Sequence, residues 1–128
     1  MNKEGEGQTM NASAIDPGAV LRAANDAIAL GDIEGFLEYC SDDTTWEFVG
    51  DVVLQGKRAV RAWMTETYEH PPVNDVELLV VEGNVVVATG TVVVTRDDTP
   101  TRSRYCDIWR VSDGKLAELS AFVVAEAS

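Results

Sequence analysis

The first half of the chain has apolar residues at helical spacing, separated by short polar breaks. One helix is predicted from Pro17, with Asp16 as its N-cap, up to Gly31. Asp32 then begins a second, short helix that ends near residue 41. A third, amphipathic helix is predicted over residues 57–70, before two prolines. The apolar stripes of the three helices are formed by Val20, Leu21, Ala24, Ala27, Ile28, Ile33, Phe36, Leu37, Val60, Trp63, Met64 and Thr67.

Alternation of apolar and polar residues predicts strands in the rest of the chain. The stretch TTWEFV places Trp46 and Phe48 on one face of a short strand and Glu47 on the other. Four longer strands are predicted at 73–81, 85–95, 101–111 and 115–124. Turns at 82–84 and 112–114 and a longer connection at 96–100 predict antiparallel pairing of consecutive strands. This order of elements is typical of an α+β fold in which helices cover one face of a curved sheet.

Length and charge limit the classes of function. The 128 residues suit one domain. Residues 1–14 have little to bury and are predicted to form a disordered tail, which leaves the domain at 15–128. The chain has 22 acidic and 10 basic residues, a net charge of -12, which argues against nucleic acid and membrane as partners. No stretch is long and apolar enough for a signal or a membrane span, so a cytoplasmic protein is expected.

Few residues have the pattern of a reactive centre. Cys40 and Cys106 lack the paired spacing of metal or redox motifs and are interpreted as reduced thiols. His70 is the only histidine, and its place at a predicted helix end favours a capping or exposed role over that of a general base. No metal site and no phosphate-binding loop are predicted.

Three stretches resemble, in order and spacing, the nuclear transport factor 2-like superfamily, and especially SnoaL-like polyketide cyclases and ketosteroid isomerases. They are GDIEGFLEYCSDDTTWEF, LQGKRAVRAWM and DIWRVSDGKLAELSAFVV. The resemblance implies a cone-shaped α+β barrel, with a curved antiparallel sheet wrapped on three helices around a central cavity. It selects no single reaction, because the superfamily includes isomerases, cyclases, dehydratases, epoxide hydrolases and proteins without catalysis.

The resemblance also assigns roles to individual positions. In YCDIWR, Asp107 falls on the aspartate that ketosteroid isomerases keep protonated, as a donor to a developing oxyanion. Their general base falls on Phe48 and their helix-borne tyrosine on Ala24, so both of those groups are missing. The acid and arginine set of the epoxide hydrolases is not matched either, because Arg104 and Asp107 lie three residues apart in a strand and face opposite ways.

The inward face of the third long strand is predicted to carry Tyr105, Asp107, Trp109 and Val111. A carboxyl group between two aromatic rings loses hydration, so a raised pKa is expected for Asp107, the candidate catalytic residue. The alternative is structural, with Asp107 accepting a hydrogen bond from a tyrosine or an arginine to hold the core. The candidate ligand-binding residues are Trp46, Phe48, Trp63, Tyr105, Trp109, Leu119 and Val123.

The opposite face of the last strand is expected to present Leu116, Glu118, Ser120 and Phe122. This apolar surface predicts a homodimer with Ile108, Leu116 and Phe122 near the contact. The expected ligand is a small hydrophobic molecule, without a cofactor. The favoured function is a cofactor-free isomerase or cyclase that acts on a hydrophobic cyclic or polyketide-like substrate through Asp107. The alternatives are a non-catalytic binding module and, less favoured, an epoxide hydrolase-like enzyme.

Overall fold

The computed structural model describes residues 15–127, so the predicted tail at 1–14 lies outside the described residues. Helix α1 spans Pro17–Ala29, α2 spans Ile33–Leu37 and α3 spans Gly56–Thr67. As predicted, Asp16 caps α1 by accepting a hydrogen bond from the Gly18 amide at 2.9 Å. Asp32 caps α2 in the same way. Helix α3 ends three residues earlier than predicted.

Six strands form one sheet. They are β1 (Cys40–Phe48), β2 (Val53–Gln55), β3 (Val73–Glu82), β4 (Val85–Arg96), β5 (Thr99–Ser112) and β6 (Lys115–Ala125). The sheet order is β2-β1-β6-β5-β4-β3, and it does not close on itself. The three helices lie on its concave face, so the predicted α+β cone fold is confirmed.

The sheet is mixed, whereas the sequence predicted a purely antiparallel one. Strand β1 pairs with β6 in parallel, and the consecutive strands β3 to β6 pair antiparallel as expected. The parallel pair joins strands that are far apart in the chain, and hairpin turns carry no information about it. Strand β2 was not predicted, because its three residues are too few to show an alternating pattern. It follows β1 through a turn in which Gly50 has a φ of 85°.

A β-bulge in β6 corrects one predicted residue. Arg110 pairs with Glu118, but Val111 pairs with Leu116, so Ala117 is the extra residue of the bulge. The bulge reverses the alternation, and Leu116 points into the core, where none of its surface is exposed. The prediction that Leu116 lies on the outer face, near a dimer contact, is therefore wrong. Phe122, beyond the bulge, is 44% exposed on the outer face.

The hydrophobic core lies between α1, α2, α3 and the concave face of the sheet. Its most deeply buried side chains are Leu21, Leu37, Met64, Leu116, Val60 and Val86. Thr44 is also fully buried, and its hydroxyl donates to the Leu116 carbonyl at 3.0 Å. Within residues 15–127, no helix is long and apolar enough to cross a membrane.

Candidate functional site

A cavity of about 400 Å³ opens between the helices and the concave face of the sheet. It is lined by all eight residues that the sequence singled out as candidate site residues: Trp46, Phe48, Trp63, Tyr105, Asp107, Trp109, Leu119 and Val123. Period-two alternation brings the β5 and β6 members together, since Asp107 pairs with Ala121 and Trp109 with Leu119 across the ladder. The structure thus gathers these residues at one place, and their roles in binding or catalysis remain predictions.

Aromatic rings form the closed end of the cavity. Trp46 is central: its ring centroid lies 5.5 Å from that of Trp109, 5.8 Å from that of Phe36 and 6.1 Å from that of Trp63, all edge-to-face. Phe48 stacks on Trp63 at 4.8 Å. Such contacts favour defined orientations of large rings, so this end of the cavity is apolar and lined by packed rings.

The mouth of the cavity lies toward the end of β6. Along this strand the exposed fraction rises from 2% at Ala121 to 47% at Val123. Asp51, in the turn between β1 and β2, is exposed and also lines the cavity. Asp107 pairs with Ala121, so it lies inward of the exposed end of β6.

The acid–base behaviour of Asp107 is strongly shifted by its surroundings. Loss of hydration on burial raises its pKa from the ordinary 3.8 to about 7. Its side chain is not completely enclosed, because part of it faces the cavity. Among residues 15–127, no side chain or backbone group forms a hydrogen bond or ion pair with its carboxyl group. The structural role considered from sequence, a hydrogen bond from tyrosine or arginine, is therefore not seen.

Tyr105 reaches across the sheet instead of toward Asp107. Its hydroxyl donates to Asn74 Oδ1 on β3 at 2.6 Å and passes over Gly90 of the intervening strand β4. A Cβ atom at Gly90 would lie 3.1 Å from this hydroxyl and 2.0 Å from the Asp75 carbonyl oxygen. Glycine is thus required here by close approach. Burial, followed by the nearby Asp107 carboxylate, raises the pKa of Tyr105 to about 12.

Tyr68 is a cavity residue that was not predicted from the sequence. It follows the last residue of α3, and its ring packs edge-to-face on Trp63 at 5.4 Å. Burial raises the pKa of Tyr68 well above its ordinary value, and the Asp107 carboxylate raises it further. Its position five residues after Trp63, at the C-cap of a helix, gave no periodic signal by which to assign it to the cavity.

Two other polar lining residues, Asn74 and Asp51, were also missed. Asn74 faces the cavity because β3 contains a bulge, with Val76 paired to Gly90 and Leu78 to Thr89. Neither the bulge nor the turn that carries Asp51 can be read from alternation alone.

Trp46 has a buried indole N–H with no hydrogen-bond acceptor among the described residues. Buried donors are nearly always paired, so the unpaired N–H is a cost to stability. We infer that the packing of Trp46 against the neighbouring rings outweighs this cost. Its surroundings are the rings of Phe36, Trp63 and Trp109.

The remaining candidate groups lie away from the cavity. Arg104 faces outward, with its guanidinium 4.0 Å from the Glu77 carboxylate. His70 is exposed beyond the end of α3, and Cys40 and Cys106 are both free thiols. Ala24 is completely buried in the core. In the part of the chain described, no three acidic, histidine or cysteine side chains meet at a position that could hold a metal ion.

The open cone of sheet and helices around an aromatic cavity defines a small α+β pocket protein. Residues 21–119 match the SnoaL-like domain family, and the chain belongs to that family. No curated protein matches the sequence.

Solved structures of the same fold include an epoxide hydrolase and candidates for two other activities. An LEH-like epoxide hydrolase of M. tuberculosis is 16% identical, with a TM-score of 0.77, and the match covers 84% of this chain and 81% of that one. A candidate ketosteroid isomerase from Kribbella flavida DSM 17836 is 20% identical, with a TM-score of 0.71 and coverage of 88% and 79%. A candidate SnoaL-like polyketide cyclase from Shewanella putrefaciens CN-32 is 10% identical, with a TM-score of 0.77 and coverage of 86% and 90%. At these identities the likeness concerns the fold alone.

Proposed function

We propose that this protein is a cofactor-free acid–base enzyme of the isomerase or cyclase kind, acting on a small hydrophobic cyclic or polyketide-like molecule. The observation that carries the proposal is the carboxyl group of Asp107, which has no hydrogen-bond or ion-pair partner among residues 15–127 and lies in a cavity with seven aromatic side chains. A general acid or base works best when its pKa is near the working pH, and about 7 meets that condition for Asp107.

Asp107 would transfer the proton, and the rings would hold the substrate. A protonated carboxyl group at this depth donates to a substrate oxygen on which negative charge develops, as does the ketosteroid isomerase aspartate that an apolar site keeps neutral. The ionised form can take a proton from an activated carbon, and the same group can return it elsewhere. The low polarity of the aromatic end strengthens either interaction.

The second candidate is a binding module without turnover. Two observations favour it. Phe48, at the position of the isomerase base, is an aromatic wall residue stacked on Trp63. Ala24, at the position of the isomerase tyrosine, is buried in the core outside the cavity lining. The epoxide hydrolase alternative has less support, because Arg104 lies on the opposite face of β5 from Asp107.

A ligand panel separates these candidates. Neutral steroids, polyphenols and terpene epoxides are first tested by thermal shift, and each ligand that binds is then assayed for conversion by NMR. We expect conversion by the wild type and a loss of at least 100-fold in Asp107→Asn, because a well-placed acid or base contributes about 10² to 10⁴ in rate.

Asp43→Asn is the matched control, since it removes the same charge from an exposed position on β1. It should retain full turnover. Binding without conversion would establish the module, and conversion retained in Asp107→Ala would exclude Asp107 as the catalytic residue.

We further propose that the protein is a cytoplasmic homodimer formed through the outer sheet face. Support comes from apolar side chains that remain exposed there: Phe122 at 44%, Val124 at 69% and Leu78 at 55%. Ile108, on the same face, is half-buried within the sheet. A two-fold contact requires only one such self-complementary surface.

A further inference from the structure

The ionisable groups that line the cavity are all acids. Among the described residues, its lining contains Asp51, Asp107 and the hydroxyls of Tyr68 and Tyr105, and neither lysine, arginine nor histidine. The nearest strand neighbours of Asp107 across the ladders, Ala88 and Ala121, carry no charge. The whole chain has a net charge of -12. A ligand that enters therefore meets a negative potential that no neighbouring cation offsets.

The faces of the aromatic rings add to this potential. An aromatic ring is negative above its plane, and rings that surround a positive group attract it most strongly when water is excluded. Seven aromatic side chains line this cavity: Phe36, Trp46, Phe48, Trp63, Tyr68, Tyr105 and Trp109. An organic cation would contact these rings and at the same time supply the counter-charge that Asp107 lacks.

We propose that the cavity selects positively charged hydrophobic ligands, such as lipophilic amines or quaternary ammonium compounds, over neutral molecules of the same shape. The inference rests on the proposed function only in using the same cavity as the ligand site, and it does not require proton transfer. It names the chemical class of the ligand: an apolar body for the aromatic end, with a cationic centre within reach of Asp107.

Two probes of matched shape, one charged and one neutral, test this class. The charged probe is 4-(trimethylammonio)benzyl alcohol, and the neutral probe is 4-tert-butylbenzyl alcohol, in which carbon replaces the quaternary nitrogen. All three tryptophans of the chain line the cavity, so quenching of their fluorescence reports occupancy. At pH 8 we expect the cation to bind about tenfold more tightly than the neutral probe, or better, from ring contacts and the carboxylate together.

The pH dependence identifies the group responsible. The groups that face Asp107 are the two tyrosine hydroxyls, which stay neutral, and Asp51 lies exposed at the mouth. A cation stabilises the ionised carboxylate, so its binding near pH 7 should release a proton, whereas the neutral probe should release none. Calorimetry of the wild type in two buffers of different ionisation enthalpy measures this release without any variant. The preference for the cation should decrease by pH 5.5, where Asp107 is protonated.

Variants complete the test. Asp107→Asn should reduce the preference for the cation several-fold and remove its pH dependence, with weaker binding of the cation at pH 8 and binding of the neutral probe at least as tight as to the wild type. Asp43→Asn should retain both. Equal or tighter binding of the neutral probe at pH 8 would overturn the inference and leave the proposed function standing. Failure of both probes, and of the neutral panel above, would overturn the cavity as a ligand site and with it both proposals.

Discussion

Replacement of Asp107 by asparagine is expected to change how stability depends on pH. The pKa of Asp107 is about 7 in the folded protein, against an ordinary value of 3.8 in the unfolded chain. Between these values the folded protein binds the proton more tightly than the unfolded chain does. The free energy of unfolding therefore falls as the pH rises from about 4 to 7, and this contribution levels off above pH 8.

The size of the effect follows from the same two values. A difference of about three pH units at 1.36 kcal/mol per unit corresponds to about 4 kcal/mol for complete ionisation in the cavity. Asparagine keeps the shape of the side chain and does not ionise. At pH 4.5 the unfolded chain is already largely ionised, so part of this difference is present at the start of the range. The unfolding free energy of Asp107→Asn, relative to that of the wild type, should thus rise by about 3 kcal/mol between pH 4.5 and pH 8.

The assay is urea unfolding followed by tryptophan fluorescence at several pH values between 4.5 and 8. The other carboxyl groups are common to both proteins, so they cancel in the difference between the two curves. Asp43→Asn removes a charge from an exposed position and should leave the pH dependence of the wild type in place. If the curves of Asp107→Asn and the wild type run parallel over this range, Asp107 is not desolvated and the argument from burial fails.

Three further predictions concern packing and assembly. Gly90→Ala should lower the free energy of unfolding, measured in urea, by about 2–4 kcal/mol, because the added Cβ would lie 2.0 Å from the Asp75 carbonyl oxygen. A loss below about 0.5 kcal/mol would contradict the close approach of the two strands. Tyr105→Phe should lower the free energy of unfolding by about 1 kcal/mol, because it removes the 2.6 Å hydrogen bond to Asn74. An unchanged free energy of unfolding would show that this hydrogen bond makes no net contribution to stability. Light scattering should give twice the 13.9 kDa of one chain, and Phe122→Glu should halve that mass; a wild-type monomer at micromolar concentration would exclude the dimer.

The local pattern was sufficient to predict most of the elements. Helix caps at Asp16 and Asp32 form as expected, because each side chain accepts a hydrogen bond from an amide two or three residues ahead. The hairpin at 112–114 has positive φ at both Asp113 and Gly114, as a tight two-residue turn requires. Alternation then brings Asp107 to the concave face with its aromatic neighbours.

Features that depend on pairing between distant segments could not be predicted. The parallel contact of β1 with β6 leaves no local trace, and the bulge at Ala117 reverses the orientation of Leu116 against strict alternation. Tyr68 and Asn74 enter the cavity through a helix end and a second bulge, neither of which has a period. The sequence thus predicted the wall built from β5 and β6 and missed the polar groups that face it.

The bulge at Ala117 divides β6 into two parts that do different things. On one side, the backbone of Leu116 is bonded to Tyr39 and Thr44, which ties the strand to the body of the domain. On the other side, Leu119, Ala121 and Val123 form the cavity wall. Engineering of new ligand preferences can therefore begin at Val123, whose half-exposed side chain lines the cavity, because a change of volume there affects neither the closely packed core nor the contacts of Leu116.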